Sequence, residues 1–155
     1  MSRSVFGDRI GKEAKVRVGA CAIIFDETRE KILLTRRADN GLWCLPGGGM
    51  DPGESISETC AREVWEEIGL HVHVGRLIGV YTTPHRITVY PDGNRAQYVS
   101  FNFEAEAYGG ELGTSDEVTE FGYFTPAEIE EIPLMEHHRI RITDALTEQV
   151  ATFVR

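Results

Sequence analysis

Residues 48–70, GGMDPGESISETCAREVWEEIGL, contain the densest set of local structural signals in this chain. Ser55 and Glu58 have the Ser-x-x-Glu spacing of a capping box, which predicts a helix that begins at about Ile56. Gly69 stands where a C′ glycine would end that helix. Apolar residues recur every four positions between these limits, so we expect one face of the helix to be buried. The members of this apolar stripe are Ile56, Cys60, Val64 and Ile68, joined by Ala61 and Trp65.

Three glutamates, Glu63, Glu66 and Glu67, crowd the last two turns of the same helix. Like charges three or four residues apart repel each other, and the negative end of the helix dipole disfavours anions there. An external cation would offset both costs, and clustered carboxylates suit magnesium first and manganese next. Arg62, within helical reach of Glu58 and Glu66, would hold a carboxylate in place. A solvated acidic face without a metal is the alternative, because acidic helices are common.

The loop that precedes the helix is rich in glycine. It reads LPGGGMDPGE over residues 45–54, with three consecutive glycines followed by Asp51-Pro52-Gly53. Such a backbone can adopt positive φ and approach a ligand closely, and a glycine loop that leads into a helix can cradle a phosphate group. The loop and the acidic helix face together therefore indicate a site where a cation meets a phosphorylated ligand.

This stretch resembles the signature of the Nudix hydrolase family, G-x5-E-x7-R-E-U-x-E-E-x-G-U, where U is aliphatic. The resemblance implies an α/β fold, an α/β/α sandwich with a mixed central sheet. It also implies a loop–helix–loop that binds Mg²⁺ and hydrolyses the diphosphate bond of a nucleoside diphosphate linked to another group, X. Every specified position of the signature is filled at its required spacing, by Gly48, Glu54, Arg62, Glu63, Val64, Glu66, Glu67, Gly69 and Leu70.

The resemblance assigns metal-binding roles to four residues. Glu66 and Glu67 would be direct metal ligands, and Glu63 would be a ligand or the general base. The backbone carbonyl of Gly47, just before the signature, would complete the metal site. Mg²⁺ is the expected cofactor, with Mn²⁺ as a substitute.

The resemblance assigns two further catalytic roles. Arg62 would pair with Glu54 and so tie the loop to the helix. In this family the general base is a signature glutamate or a carboxylate from a later loop, for which Glu117 and Glu120 are the candidates here. A solvated acidic loop before a strand explains the same two residues equally well.

Candidates for substrate contact are spread along the chain. Gly48 in the glycine loop and Glu120 are two of them, and Arg36 and Arg37 would meet substrate phosphates. A solvated strand end is the simpler interpretation of these two arginines. Base or ribose contacts would come from residues that flank a long turn, each of which also fits a hairpin or packing role: Tyr81, His85, Arg86, Tyr90 and Tyr98.

A nucleoside diphosphate sugar such as ADP-ribose is the favoured substrate. Residues 90–129 resemble bacterial Nudix proteins labelled ADP-ribose pyrophosphatase or mutator-type nucleotide hydrolase, so (deoxy)nucleoside triphosphates, including oxidised ones, are the alternative. A non-catalytic nucleotide sensor is a rival of another class, although such domains often lose signature carboxylates that this chain keeps. An isoprenyl diphosphate isomerase is a weaker rival, because it needs a reactive cysteine and Cys44 and Cys60 lie in apolar patterns.

Length and composition limit the other possibilities. The chain has 155 residues, which suits a single domain over residues 1–155. Its net charge of −9 argues against binding to nucleic-acid backbone or anionic membranes. Three widely spaced cysteines indicate reduced thiols and a cytoplasmic protein, and no apolar run approaches a membrane span. The expected partner is a small nucleotide, and the family resemblance adds a homodimer.

The remaining hydrophobic patterns predict strands followed by helices, and therefore a mixed sheet with helices on both faces. The acidic segment 115–120 is predicted to be a loop. Strands are expected over residues 15–26, 31–36, 71–81, 96–108 and 121–124, followed by a short helix from 125. A last helix is expected over 136–150, packed on the sheet through the recurring apolar residues Ile140, Ile142, Ala145, Leu146 and Val150.

Overall fold

Ten strands lie within residues 2–147 and 149–155, the part of the chain that this computed structural model describes. They form a seven-stranded sheet and a three-stranded sheet. In chain order they are β1 (Arg3–Phe6), β2 (Lys15–Ile23), β3 (Ile32–Arg37), β4 (Trp43–Cys44), β5 (Gly47–Gly49), β6 (Leu70–Thr82), β7 (Arg86–Val89), β8 (Arg95–Gly110), β9 (Val118–Phe124) and β10 (Phe153–Val154). The same residues contain the helices α1 (Ile56–Ile68), α2 (Pro126–Glu131) and α3 (Glu136–Ala145).

The long strand β8 organises the larger sheet. It runs parallel to β2 and antiparallel to β6, and the short strand β5 adds antiparallel to β2. The strand order is β1-β7-β8-β2-β5, with β6 paired to β8 and β10. The sheet is mixed because it contains both parallel and antiparallel pairs. The smaller sheet has the order β4-β3-β9. A strand in a parallel pair that is covered on both faces needs a continuous apolar run. Residues 20–24, which lie in β2 and the position directly after it, supply this run, and all five are buried.

Two apolar cores lie on opposite faces of this sheet. The core under α1 uses the helix stripe Cys60, Val64 and Ile68. The other core is closed by Ile129 of α2 and Ile142 of α3. Each fully buried aliphatic side chain of this kind contributes about 1.5–3 kcal/mol to the free energy of folding. The prediction of an α/β/α sandwich with a mixed central sheet is confirmed.

Helix α1 has the ends that the sequence predicts. The side chain of Ser55 accepts a hydrogen bond from the Glu58 N–H, and the Glu58 carboxylate accepts one from the Ser55 N–H, which completes the capping box. Gly69 then ends the helix in the left-handed region at φ 75°, where glycine avoids the strain of a side chain.

The buried face of α1 differs from the predicted stripe. Trp65 is 51% exposed and stacks on His71 at the surface, whereas Glu67 is 6% exposed. The helix is therefore rotated so that its Glu67 edge lies against the glycine strand β5 and its Trp65 edge faces solvent. The sequence pattern could not show this rotation, because tryptophan is counted as apolar and glutamate as polar.

Most other differences between the predicted and the observed secondary structure are short strands that were not predicted. Strand β1 lies in the N-terminal residues, where none was predicted, and β7 lies in the segment predicted to be turn-rich. Strand β9 begins at Val118, inside the segment predicted to be an acidic loop. These segments are strands because of their partners: Arg3 pairs with Val89, and Arg36 with Glu120.

The last helix is shorter than predicted. Helix α3 ends at Ala145, and β10 returns the chain to the sheet beside β6. Of the predicted helix over 136–150, Glu148 lies outside the described residues. No helix in the described part of the chain is long and apolar enough to cross a membrane.

Candidate active site

Arg62 joins the glycine loop to helix α1. Its guanidinium forms a bidentate pair with Glu54 and donates to the Gly49 carbonyl oxygen at 2.9 Å. Its Nη1 also donates to Glu63 at 3.0 Å and to Glu66 at 2.9 Å. The hydrogen bond from Arg62 and a further one from a backbone N–H lower the pKa of Glu54 to about 2. One arginine therefore holds the loop and two signature carboxylates in place.

Glu67 of helix α1 is buried, and its side chain lies against the first residue of strand β5. Its Oε2 accepts a hydrogen bond of 3.0 Å from the Gly47 N–H, and burial raises the pKa of this carboxyl to about 8. Burial also raises the pKa of Glu63. An ionised carboxylate out of water needs a positive partner, so these two acids become fully anionic most easily when a cation is bound beside them.

The glycine strand lies directly against the carboxylates. A side chain at Gly48 would place its Cβ 2.5 Å from the Glu63 carboxyl carbon, so only glycine leaves this approach open. Gly47 has φ 147°, and a Cβ there would lie 2.2 Å from the Ala20 carbonyl oxygen. The backbone of β5 can therefore come as close to the glutamates as a shared ligand requires.

Replacing Gly47 by alanine is expected to destabilise the fold by about 2–4 kcal/mol, because the left-handed φ and the contact with Ala20 both penalise a Cβ. Urea unfolding followed by circular dichroism measures this loss. Gly49→Ala is the matched control two residues along the same strand, where an added Cβ meets no atom within 4 Å. Equal stabilities of the two variants would contradict the role assigned to Gly47.

The three glutamates Glu63, Glu66 and Glu67, together called the acidic corner, offer donor atoms that fit a divalent cation. Hard carboxylate oxygens from Glu63 and Glu67 lie next to the β5 backbone, and burial raises the pKa of both acids. Glu66 shares the Arg62 Nη1 with Glu63. Arg62 binds Glu63 and Glu66, whereas the Gly47 N–H binds Glu67, and joint binding of a cation by all three stays a prediction. Among the described residues, no group of three or more His, Cys, Asp or Glu side chains is already arranged to hold a metal ion.

A cavity of about 520 Å³ opens next to these carboxylates. Gly47 and Gly48 form the part of its wall that the cavity shares with the acidic corner. The rest of the wall comes from β1, β2, β3, β4, β7, β8, α3 and their connecting loops, on the face of the larger sheet opposite to α1. Its polar lining includes Arg37, Arg86, Tyr90, Tyr98, His138 and Arg141.

The residues predicted to contact substrate divide into two groups. Gly48 lines the cavity, as do Tyr90 and Tyr98, whose hydroxyl groups are hydrogen-bonded to each other. Tyr81 does not: its ring is buried, and its hydroxyl donates to Asp144 at 3.0 Å. Tyr81 therefore holds a packing position behind helix α3, and its role as a substrate contact stays a prediction.

Two further predicted substrate contacts, His85 and Arg36, do not line the cavity and stay predictions. His85 lies outside the cavity wall, where its Nδ1 accepts a hydrogen bond from the Arg9 N–H. Arg36 also lies outside it and donates to the Gly41 carbonyl oxygen and to Glu120. Successive residues of a strand face opposite sides, so the next residue in β3, Arg37, reaches the cavity in its place.

The two candidate bases occupy different surroundings. The Glu120 carboxylate is paired with Arg36 at 2.7 Å on the exposed side of the smaller sheet. Glu117 lies immediately before β9, and its charge adds to the effect of burial in raising the pKa of both Glu63 and Glu67. Of this pair, only Glu117 contributes to the raised pKa of Glu63 and Glu67.

Helix α3 supplies site residues that the sequence pattern did not predict. Its periodicity marked Ile140 as a core residue, but Ile140 is exposed and Arg141 is buried in the cavity wall. His138 is also buried there, and its Nδ1 accepts a hydrogen bond of 3.1 Å from the Leu45 N–H. The one available signal was the cluster of cationic and imidazole side chains in the segment HHRIR.

Comparison with known proteins identifies relatives of this chain. A 40% identical stretch of 116 residues aligns with a MutT-like protein of Streptomyces ambofaciens and covers 75% of this chain and 68% of that protein. An ADP-ribose pyrophosphatase of Methanocaldococcus jannaschii is 38% identical over 63% of this chain and 56% of its own length. A putative 8-oxo-dGTP diphosphatase of Bacillus subtilis is 47% identical over 43% of this chain and 44% of its own length.

A solved structure and a family profile agree with these relatives. The MutT protein of Methanosarcina mazei superposes with a TM-score of 0.68 at 26% identity, over 88% of this chain and 99% of that one. The profile of the NUDIX domain matches residues 15–146, which include the whole glycine loop and helices α1, α2 and α3. The chain is therefore a member of the Nudix hydrolase family.

Proposed function

We propose that this protein hydrolyses the diphosphate bond of a nucleoside diphosphate linked to a group X, with Mg²⁺ as the divalent cation. The observation that carries the proposal is Glu67, a buried carboxyl held by the Gly47 N–H at the point where the acidic corner meets the cavity. A substrate in the cavity would place its diphosphate beside this carboxyl. ADP-ribose or another nucleotide sugar is the favoured substrate.

The residues of the acidic corner have separate tasks in this mechanism. Glu63, Glu66, Glu67 and the Gly47 carbonyl would hold the cation, which polarises phosphoryl oxygens and lowers the pKa of water when bound. Arg62 positions Glu63 and Glu66 through its shared Nη1. Positioning and charge neutralisation account for most of the rate in such a reaction, because no covalent intermediate is needed.

Glu117 is proposed as the proton acceptor for the attacking water. Replacing it by glutamine keeps the shape and removes the basic oxygen, so kcat is expected to fall by a factor of about 10²–10⁴ with little change in KM. Steady-state kinetics at saturating Mg²⁺ measures the change. Glu120→Gln is the matched control, because Glu120 lies three residues further along the chain, in β9, and pairs with Arg36. A Glu117 variant that is as active as the Glu120 variant would assign the base to Glu63.

The size and lining of the cavity support a nucleotide substrate. A volume of about 520 Å³ lies within the usual range for small-ligand sites, which is about 300–1,000 Å³. Tyr90 and Tyr98 offer aromatic surface to a base or ribose. The relative named ADP-ribose pyrophosphatase supports the nucleotide-sugar proposal.

A (deoxy)nucleoside triphosphate, including an oxidised one, is the second candidate substrate. The relative named putative 8-oxo-dGTP diphosphatase supports this candidate as strongly as the ADP-ribose pyrophosphatase supports the first. Its sequence identity to this chain is higher, but the aligned stretch is shorter. A non-catalytic nucleotide sensor is the remaining alternative. It is disfavoured because the signature carboxylates are all present, with Glu63 and Glu66 bound by Arg62 and Glu67 bound by the Gly47 N–H.

A substrate panel tests the proposal. Phosphate-containing products are measured for ADP-ribose, other nucleotide sugars, and ordinary and oxidised triphosphates, with Mg²⁺, with Mn²⁺ and with EDTA. Cation-dependent cleavage of a nucleotide sugar is the expected result, and preference for a triphosphate would select the second candidate. Tight nucleotide binding without cleavage of any substrate would favour the sensor.

Three broader expectations remain predictions. They are a single domain over residues 1–155, a homodimer, and a cytoplasmic location. Size-exclusion chromatography with light scattering tests the second directly, because a dimer doubles the mass of the 17.3 kDa chain.

A further inference from the structure

Two arginines in the cavity wall have no carboxylate partner among residues 2–147 and 149–155. Arg86 of β7 is 8% exposed and Arg141 of α3 is 4% exposed. The Nε atoms of both are buried without a hydrogen-bond acceptor in the described part of the chain. The acid closest in sequence to Arg141, Asp144, is already engaged by Arg155 at 2.8 Å and 2.9 Å. Both charges are therefore buried and unbalanced.

The contacts that these arginines do make are neutral. Arg141 donates from Nη1 to the Cys21 sulfur at 3.3 Å, and burial raises the pKa of that thiol, which keeps it uncharged. The Arg141 guanidinium also lies over the Tyr81 ring, 5.5 Å from its centroid. Neither contact supplies the negative charge that a buried guanidinium requires.

The wider charge distribution makes this arrangement unusual. The chain has 25 acidic and 16 basic residues, yet the cavity wall contains four arginines and one acid. That acid, Glu136, is exposed and lies 3.5 Å from Arg139. Burial, with the neighbouring Arg141 charge as a further cause, lowers the pKa of Arg86 to about 10, which shows how unfavourable the unpaired state is.

We propose that Arg86 and Arg141 form a recess for an oxyanion, a carboxylate or phosphate monoester, carried by the group X of the substrate. This inference rests on the proposed function, in which the diphosphate lies against the carboxylates on the α1 side. The two arginines lie on the α3 side of the sheet, so they are placed for a different part of the molecule. Only an anion offsets two buried positive charges, and a guanidinium fork binds a carboxylate or phosphate through paired N–H donors.

Inorganic phosphate in metal-free buffer with EDTA tests the recess without any reaction. The melting temperature of the wild type is expected to rise by about 2–4 °C at a phosphate concentration about five times the dissociation constant. Arg86→Met and Arg141→Met are expected to lose this rise. In phosphate-free buffer both variants should melt at or above the wild-type temperature, because an unpaired buried charge is removed, whereas a purely structural role would lower it. Arg95→Met, which removes an exposed arginine paired with Glu13, should keep the full rise.

Matched substrates identify the anion. UDP-glucuronate differs from UDP-glucose by one carboxylate, and coenzyme A differs from its 3′-dephospho form by one phosphate monoester. In the wild type, kcat/KM is expected to favour the anionic member of at least one pair by about tenfold or more, which corresponds to one good charge-assisted contact. The preference should disappear in Arg86→Met and Arg141→Met. The pair that shows it distinguishes a carboxylate from a phosphate ligand.

The two proposals fail in different ways. No phosphate-dependent rise in the wild type, or an equal rise in the wild type and both arginine variants, overturns the oxyanion recess. Equal kcat/KM within both substrate pairs also overturns it. If no substrate is cleaved but the phosphate-dependent rise is lost in the variants, the recess stands and the proposed hydrolase activity fails.

Discussion

Replacing Glu67 by glutamine is expected to lower kcat at least about a hundredfold, which corresponds to about 2.7 kcal/mol of transition-state stabilisation. Glutamine keeps an oxygen that can accept the Gly47 N–H, but it cannot supply the negative charge of a metal ligand. The fold should be unaffected, because burial already favours the neutral form of this carboxyl, with its pKa at about 8. Kinetics at saturating Mg²⁺ and thermal unfolding in EDTA measure the two effects separately.

The control for this substitution is Glu131→Gln, which removes a carboxylate from the exposed end of helix α2. It should leave both kcat and stability within about 0.5 kcal/mol of the wild type. Near wild-type turnover in the Glu67 variant would contradict the assignment of helix α1 as the metal-binding element.

The neutral state of His138 makes stability depend on pH. Burial is the first cause that lowers the pKa of His138 well below 6.5, and the positive charges of Arg141, Arg86 and Arg37 add to it. The unfolded chain binds this proton near pH 6.5, whereas the folded chain does not, so stability is complete above that pH and falls as pH decreases. The contribution of His138 is expected to fall by about 2 kcal/mol between about pH 7.5 and about pH 5.

The variant His138→Asn isolates this contribution. Asparagine does not titrate, and its side-chain oxygen can accept the Leu45 N–H in place of Nδ1. A comparison of variant and wild type is needed because Glu67, whose pKa is raised, changes stability in the opposite direction over the same pH range. Urea unfolding at both pH values should show the difference between the two proteins changing by about 2 kcal/mol. Parallel pH profiles would show that His138 is not buried in its neutral form.

Local signals explain why helix α1 could be predicted from sequence. Its capping box, its terminal glycine and its apolar stripe all lie within fifteen residues, and each acts through neighbours in the chain. The short strands β1, β7 and β10 carry no comparable signal. Each is a strand because a partner distant in sequence binds it, as Arg3 and Val89 do, and such pairing cannot be inferred from a local pattern.

The acidic corner could likewise be predicted from local sequence, whereas the cavity depends on contacts between segments that are distant in sequence. Spacing alone places Glu63, Glu66 and Glu67 on one helix edge, and the family signature adds Arg62 and Glu54. The cavity wall instead depends on which face of α3 meets the sheet. Hydrophobic periodicity favours Ile140 over Arg141, because it assumes that charged residues face solvent. A residue that is buried to bind a ligand violates that assumption.

Direct measurement of cation binding tests the central claim, that the glutamates of α1 hold a divalent cation beside the substrate diphosphate. Mn²⁺ can be titrated into the metal-free protein and followed by electron paramagnetic resonance, for the wild type and for Glu67→Gln. The wild type is expected to bind Mn²⁺ in competition with Mg²⁺, and the variant to bind it more than about tenfold more weakly. Equal Mn²⁺ affinity in the two proteins would contradict the claim.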